Sequence, residues 1–127
     1  MKKAIQTTKA PGAIGPYSQA IVAGDLLFAS GQIPLDPQTG NLVSGSIEAE
    51  THQALKNLAA VLEAGGAQTR DVVRTTIFLT DLGNFSKVNE IYGTYFSQPF
   101  PARVTVQVSA LPKGAQVEID AIAKVSR

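Results

Sequence analysis

The segment from Val72 to Thr80 constrains the fold more than any other part of the chain. It is rich in β-branched residues and is apolar at successive positions, which predicts a strand buried on both faces. The two helices predicted elsewhere can cover only one face of a sheet of five or six strands. Another copy of the protein would have to cover the second face, so we predict a homo-oligomer.

Two stretches have apolar residues at helical spacing. The first begins after Ser46, a good N-cap, and stops at Gly65-Gly66; the second begins after Asn84, predicted as its cap, and ends before Pro99. Period-two patterns and turn residues predict strands at about 5–8, 19–24, 26–33, 72–80, 103–109 and 116–125. The order is β-β-β-α-β-α-β-β, and residues 1–127 form a single domain.

Composition excludes several classes of function. The chain has 127 residues, no cysteine, one histidine and a net charge of +1, with its basic residues scattered. These values give no disulfide framework, no thiol nucleophile, no zinc cluster and no basic surface for nucleic acid. No apolar run has the length of a signal peptide or a membrane span, so we expect a soluble cytoplasmic protein.

A strictly alternating segment begins at Arg103. Valines occupy 104, 106 and 108, so Arg103, Thr105 and Gln107 share the other face of a strand. The guanidinium fork suits a carboxylate or a phosphate. In the last strand Glu118 and Asp120 also share a face, and the tight turn at 111–114 suggests that the two strands lie close together. A structural ion pair and a general acid beside an anion clamp both remain open.

Three other positions are candidates. Asn89 falls on the apolar stripe of the second helix, where a buried amide needs hydrogen bonds from the backbone or from a ligand. Tyr17 follows Gly15-Pro16 in a stiff loop and would act as an aromatic lid or as a hydrogen-bonding residue. Gly31 interrupts an apolar strand beside Ser30, which indicates close approach of a ligand or backbone, or a bulge.

At these residues the chain resembles the RidA family, also called YjgF/YER057c/UK114. The resemblance runs over essentially the whole chain. The segments that carry it are Gly15-Pro16-Tyr17-Ser18-Gln19-Ala20, Ser30-Gly31-Gln32-Ile33-Pro34, Val88-Asn89-Glu90-Ile91-Tyr92, Pro101-Ala102-Arg103 and Val117-Glu118-Ile119.

The resemblance implies an α+β, chorismate-mutase-like fold, with a mixed sheet of about six strands and two helices on one face. It implies a homotrimer with sites between subunits, and no metal or organic cofactor. The implied activity is hydrolysis of 2-aminoacrylate and 2-iminopropanoate, small enamino and imino acids, to 2-keto acids and ammonia. Such imines are already electrophilic, so orientation, a carboxylate clamp and one acid or base suffice.

The resemblance also implies roles for individual residues. Arg103 would bind the substrate carboxylate bidentately, and Glu118 would activate water or relay protons to the leaving nitrogen. Tyr17, Ser30, Gly31 and Asn89 would line the pocket, with Tyr17 arriving from a neighbouring subunit. Many bacterial members have cysteine where this chain has Thr105, which offers a hydroxyl but no thiol.

Two other functions are compatible with the resemblance. The same pocket could serve a non-catalytic sensor of small carboxylates that regulates amino-acid or purine metabolism. An RNA-cleaving role has been proposed for some relatives, and the near-neutral charge argues against it here. The sequence leaves the preferred imine undetermined.

Overall fold

A computed structural model describes residues 1–125 and confirms the predicted order of elements. The first strand ends at Ile5, whereas the sequence predicted that it began there. Ser46 and Gly65 flank the first helix as expected. The elements are β1 (Lys2–Ile5), β2 (Ala20–Ala23), β3 (Leu26–Gln32), α1 (Ile47–Ala64), β4 (Val72–Leu79), α2 (Phe85–Tyr95), β5 (Ala102–Gln107) and β6 (Val117–Lys124).

All six strands join one mixed sheet in the order β1-β2-β3-β6-β4-β5. Neighbours are antiparallel except β4 and β5, which are parallel and are connected through α2. The last strand inserts between β3 and β4. The expectation that the strands carrying Arg103 and Glu118 are close together is therefore wrong, because β4 separates them; a short turn fixes chain separation but not strand pairing.

Both helices cover one face of the sheet, as predicted. Helix α1 packs on β3 and β6, and α2 packs against α1. The covered face contributes Leu27, Ile77 and Ile119, all with no exposed surface. These side chains meet an apolar stripe of α1 that includes Leu55 and Leu58. Burial of this layer supplies the hydrophobic stabilisation of the fold.

The two helix starts differ. Ser46 caps α1 as expected, its hydroxyl oxygen accepting a hydrogen bond from the Ala49 N–H at 3.0 Å. The prediction that Asn84 caps α2 is wrong, because its side chain makes no capping bond. A short 3₁₀ turn precedes α2 instead, and the Asp81 carboxylate accepts from the Gly83 N–H at 2.8 Å. The polar residue that begins this helical region is thus three residues earlier than predicted.

The other face of the sheet, here called the open face, is partly exposed and mixes apolar side chains with the carboxyl groups of Glu118 and Asp120. It carries Phe28 (43% exposed), Val104 (39%), Val106 (37%) and the half-buried Phe78 and Ile122. An exposed apolar surface on a sheet is typical of an association surface. The open face is the surface for which the sequence predicted a second copy.

Candidate functional site

Arg103 lies on the helix-covered side of β5, at the edge of the sheet. Its register partner in β4 is the fully buried Thr75. The Arg103 Nη1 donates a hydrogen bond to Oδ1 of Asn89 at 2.8 Å. Its guanidinium carbon lies 4.9 Å from the ring centroid of Tyr92 and 5.5 Å from that of Phe85. Two rings and one amide of the same helical segment therefore hold the cation.

The Tyr92 ring is itself anchored. Its hydroxyl and that of Thr75 are 2.7 Å apart. Burial raises the pKa of the Tyr92 phenol, although the Thr75 bond and the charge of Arg103 act in the opposite direction. Tyr92 is thus a neutral support for the guanidinium. Within residues 1–125 Arg103 has no carboxylate partner, so its remaining donors can bind an external anion.

Asn89 is exposed, contrary to the prediction that it lies on the buried stripe of its helix. The buried residues of α2 are Val88 and Tyr92, and Asn89 lies on the flank of that stripe. Its amide oxygen is used by Arg103. Asn89 therefore orients the guanidinium.

A second group of predicted residues lines a cavity of about 510 Å³. It includes Tyr17, Ser30, Gly31 and Glu118, with Lys113 at the wall. Glu118 pairs in register with Phe78, so its side chain lies on the open face, on the side of the sheet opposite to Arg103. The predicted site is thus divided into an arginine half-site (Arg103, Asn89 and Thr105) and a glutamate half-site (Tyr17, Ser30, Gly31 and Glu118).

The carboxyl group of Glu118 is half-buried. Burial raises its pKa above the ordinary value for glutamic acid, and the nearby Asp120 carboxylate raises it further. Asp120 is itself fixed, because its Oδ1 accepts from the Thr76 N–H at 3.0 Å. A carboxyl group whose pKa is shifted towards neutrality is better suited to proton transfer than an ordinary one.

Gly31 makes room for that carboxyl group. A Cβ atom at this position would overlap Oε2 of Glu118. The pairing with β6 also shifts register between Ala29 and Gln32. The bulge interpretation of the glycine is therefore met, while the group that approaches closely is the Glu118 side chain and not the predicted ligand or backbone.

Ser30 uses its hydroxyl within the protein. The Oγ donates to the carbonyl of Ser18 at 2.6 Å, and the Ser30 N–H donates to the carbonyl of Gln19 at 3.0 Å. Ser30 therefore fixes the loop that carries Tyr17, and only its lone pairs remain for a ligand. Tyr17 is 53% exposed, as a residue at the mouth of a cavity would be.

Thr105 pairs in register with Ile77, on the same side of the sheet as Arg103. Its Oγ1 is buried and has no hydrogen-bond partner within residues 1–125. An unsatisfied buried hydroxyl costs about 1–3 kcal/mol. A polar group from a ligand or a neighbouring chain would remove that cost.

Two further residues that line the cavity beside the glutamate half-site were missed in the sequence analysis. Gln19 is buried, and its side-chain amide hydrogen-bonds to backbone atoms of residues 7–11. The sequence feature that could have identified Gln19 is a side-chain amide at the beginning of an apolar strand. Lys113 lines the cavity with a left-handed backbone (φ 58°), but a lysine before glycine looks like any exposed turn.

Other chemistry has little support in the described chain. Residues 1–125 contain no group of three or more His, Cys, Asp or Glu side chains placed to hold a metal ion. His52 is exposed, with Nδ1 3.0 Å from the Tyr95 hydroxyl. No helix in this part of the chain has the length and apolarity needed to cross a membrane.

The fold and its neighbours define a small α+β protein with a chorismate-mutase-like sheet. The family model described as Endoribonuclease L-PSP matches residues 7–125. The chain belongs to this family, which is the RidA family indicated by the sequence segments.

Three similar proteins illustrate the relationship. Protein DfrA of Myxococcus xanthus is 59% identical over 124 residues, covering 96% of this chain and 95% of its own. Human 2-iminobutanoate/2-iminopropanoate deaminase is 51% identical over 123 residues, covering 97% and 90%. The crystal structure of Escherichia coli TdcF with bound serine has a TM-score of 0.92 at 40% identity, covering 98% and 99% of the two chains.

Proposed function

We propose that this protein is an imine deaminase. It hydrolyses 2-aminoacrylate and 2-iminopropanoate type compounds to 2-keto acids and ammonia. The observation that carries the proposal is the near full-length identity of 51% to a human protein named 2-iminobutanoate/2-iminopropanoate deaminase. The free arginine donors and the raised pKa of Glu118 supply the two chemical groups that the reaction requires.

The active assembly is a homotrimer with its sites between chains. Each chain contributes its arginine half-site to one site and its glutamate half-site to another. Arg103 and Glu118 lie on opposite sides of one sheet, with β4 between their strands, so one chain cannot present both to a small substrate. A cyclic assembly repeats one head-to-tail contact, which brings the arginine half-site of one chain to the glutamate half-site of the next. The partly exposed open face supports association.

Substrate binding begins at the arginine half-site. Asn89 occupies one guanidinium donor, and the remaining fork binds the substrate carboxylate with two parallel hydrogen bonds. The Thr105 hydroxyl, which has no partner within the described residues, offers a further hydrogen bond on the same side of the strand. Tyr17 of the neighbouring chain closes the mouth of the cleft.

Proton transfer belongs to Glu118 of the neighbouring chain. As its carboxylate takes a proton from water, the water oxygen bonds to the carbon of the protonated imine and the C=N electron pair moves to nitrogen, giving a neutral carbinolamine. Glu118 then returns this proton to the nitrogen. As the C–N bond breaks to release ammonia, the carbinolamine hydroxyl gives its proton to the Glu118 carboxylate and C=O forms; the proton then leaves with ammonia as ammonium, which restores the carboxylate. The enamine 2-aminoacrylate first takes a proton at its terminal carbon to become the imine. General acid–base catalysis contributes about 100- to 10,000-fold, enough for an already electrophilic substrate.

The test is the rate of 2-keto acid formation from an imine generated in situ by an amino-acid oxidase. Arg103→Ala removes two charge-assisted bonds to the substrate, so kcat/KM falls about 100-fold or more. Arg103→Lys keeps the charge and loses the fork, giving an intermediate rate. Arg70→Ala, at an exposed arginine of the turn before β4, is the matched control and stays at the parent rate. Parent-like turnover by Arg103→Ala would contradict the proposal.

A carboxylate sensor is the second candidate. The TdcF structure was solved with bound serine, so a relative holds an amino acid without that ligand being an imine. Saturable binding of small carboxylates, with no imine turnover by any preparation, would favour a sensor. Loss of that binding in Arg103→Ala would be common to both functions, so turnover is the discriminating measurement.

We propose neither RNA cleavage nor membrane association. The net charge is +1, which gives no strong attraction to a phosphate backbone. Ribonuclease activity that persists in Arg103→Ala and Glu118→Gln would come from a contaminant. Residence in the cytoplasm remains a prediction, and fractionation of cells with an antibody to the protein tests it.

A further inference from the structure

We propose that Gln19 is a positioning residue that fixes the loop carrying Tyr17 in its catalytic place. The inference rests on the proposed deaminase function and deepens it. Gln19 lies at the cavity wall but is only 3% exposed, and its amide bonds to backbone groups of Thr7 and Pro11 instead of a ligand. Its effect on turnover would pass through the loop.

The Gln19 side-chain amide is saturated by backbone groups. Its Oε1 accepts from the Thr7 N–H at 2.8 Å, and its Nε2 donates to the carbonyls of Thr7 at 3.0 Å and Pro11 at 2.8 Å. A longer contact of 3.4 Å reaches the carbonyl of Ala10. One side chain therefore clamps both ends of the segment 7–11.

Backbone contacts connect this clamp to β3. The Gln19 carbonyl accepts from the Ser30 N–H, and the Ser18 carbonyl accepts from the Ser30 hydroxyl. Tyr17 directly precedes these two carbonyls, and its own N–H donates to Gly15 at 2.9 Å. The loop is thus tied to the strand that carries Gly31, the residue that accommodates Glu118.

Hydrophobic burial contributes little to the stability of the segment 6–18. Between residues 6 and 18 only Ala10 is buried. A segment with so little buried apolar surface is ordered chiefly by its hydrogen bonds, and the removal of a buried partner leaves carbonyl groups unsatisfied. Gln19 is therefore the residue whose loss would most directly release Pro11 and Tyr17 from the cavity wall.

A set of matched substitutions tests the clamp. Gln19→Met keeps the length and removes all polar contacts, so we expect kcat to fall about tenfold with a smaller change in KM, because Arg103 of the other chain still holds the carboxylate. Gln6→Met makes the same change at an exposed glutamine of the preceding segment and should leave kcat unchanged. Tyr17→Phe combined with Gln19→Met should cost less than the product of the single losses, since both act through one loop.

Gln19→Glu adds a pH signature that a merely structural residue would lack. Its carboxylate faces the carbonyls of Thr7 and Pro11, and burial there favours the protonated form, which can donate to one of them. Activity relative to the parent should therefore rise as pH falls, whereas the ratio for Gln19→Met stays flat. A flat ratio for Gln19→Glu, or a parent-like kcat for a folded Gln19→Met, would overturn the inference.

Limited trypsin digestion tests the clamp without a measurement of imine turnover. Lys9 is exposed within the clamped segment, so cleavage after it reports how often the loop opens. We expect cleavage at least about tenfold faster in Gln19→Met than in Gln6→Met. Unchanged cleavage contradicts the clamp even if imine turnover is never found, while fast cleavage in a protein with no turnover contradicts only the deaminase proposal.

Discussion

Gly31 has no side chain, and this leaves the space that the Glu118 carboxyl group occupies. We predict that Gly31→Ala lowers kcat/KM about 100-fold, because the new methyl group displaces the carboxyl and a misplacement of about 1 Å can cost that much. Steady-state kinetics on a folded variant checks this. Gly65→Ala is the matched control, since its methyl group would overlap Leu27 in the core, away from the cavity. It should lower stability and leave kcat near the parent value; the same kcat loss in both variants would refute the argument.

Under the proposed mechanism, the pKa of Glu118 sets the acid limb of the activity. Water activation needs the carboxylate, so kcat/KM should rise with pH through the raised pKa of Glu118. We predict that Asp120→Asn shifts this limb to lower pH, because removing the neighbouring negative charge makes ionisation of Glu118 easier. The asparagine oxygen can still accept the Thr76 N–H, so the fold is preserved. A pH profile of kcat/KM with an unmoved acid limb would count against this assignment.

At the scale of the elements, Glu50 joins α1 to the start of β6. The buried carboxylate accepts from the Gln116 N–H at 2.8 Å and from its side-chain Nε2 at 2.7 Å, two residues before Glu118. We predict that Glu50→Ala lowers the free energy of unfolding by about 3 kcal/mol, since two bonds to a charged group are lost. Urea denaturation at fixed chain concentration measures it. Glu48→Ala, exposed in the same helical turn, should change it by less than about 0.5 kcal/mol.

Local patterns predicted the elements well and their arrangement poorly. The alternation after Arg103 correctly placed Val104 and Val106 on the opposite face of β5, and Ser46 was correctly identified as a cap. These properties depend on neighbours in the chain. The insertion of β6 between β3 and β4 depends on pairing between distant segments, for which the turn at 112–114 gives no signal.

The candidate residues were also easier to identify than to group. Arg103 and Glu118 each stood out through alternation, yet their division between two sides of the sheet follows from strand order. Asn89 was misplaced because α2 buries only Val88 and Tyr92, a narrower stripe than its apolar residues suggested. The raised pKa of Glu118 depends on burial, which no local pattern reveals.

At the scale of the whole molecule, the divided site predicts complementation between inactive chains. Under the proposed trimeric assembly, the Arg103→Ala and Glu118→Gln proteins should each be nearly inactive. When the two are unfolded together and refolded at equal amounts, random head-to-tail assembly makes about one site in four intact, so about a quarter of the parent activity should return. The same proteins mixed without unfolding provide the control. No recovery after verified subunit exchange would show that the site does not combine these residues from different chains.

The open face has a consequence for how activity follows the amount of protein in a cell. Under the proposed assembly, a newly made chain carries two halves that belong to different sites and cannot turn over substrate alone. By mass action, the number of complete sites then rises more than proportionally with the number of chains while expression is low. Once nearly all chains are assembled, the number of sites rises in proportion to the number of chains. Halving a weakly expressed gene would therefore remove more than half of the activity, and Phe28, Val104 and Val106 would control that threshold through the stability of their contacts.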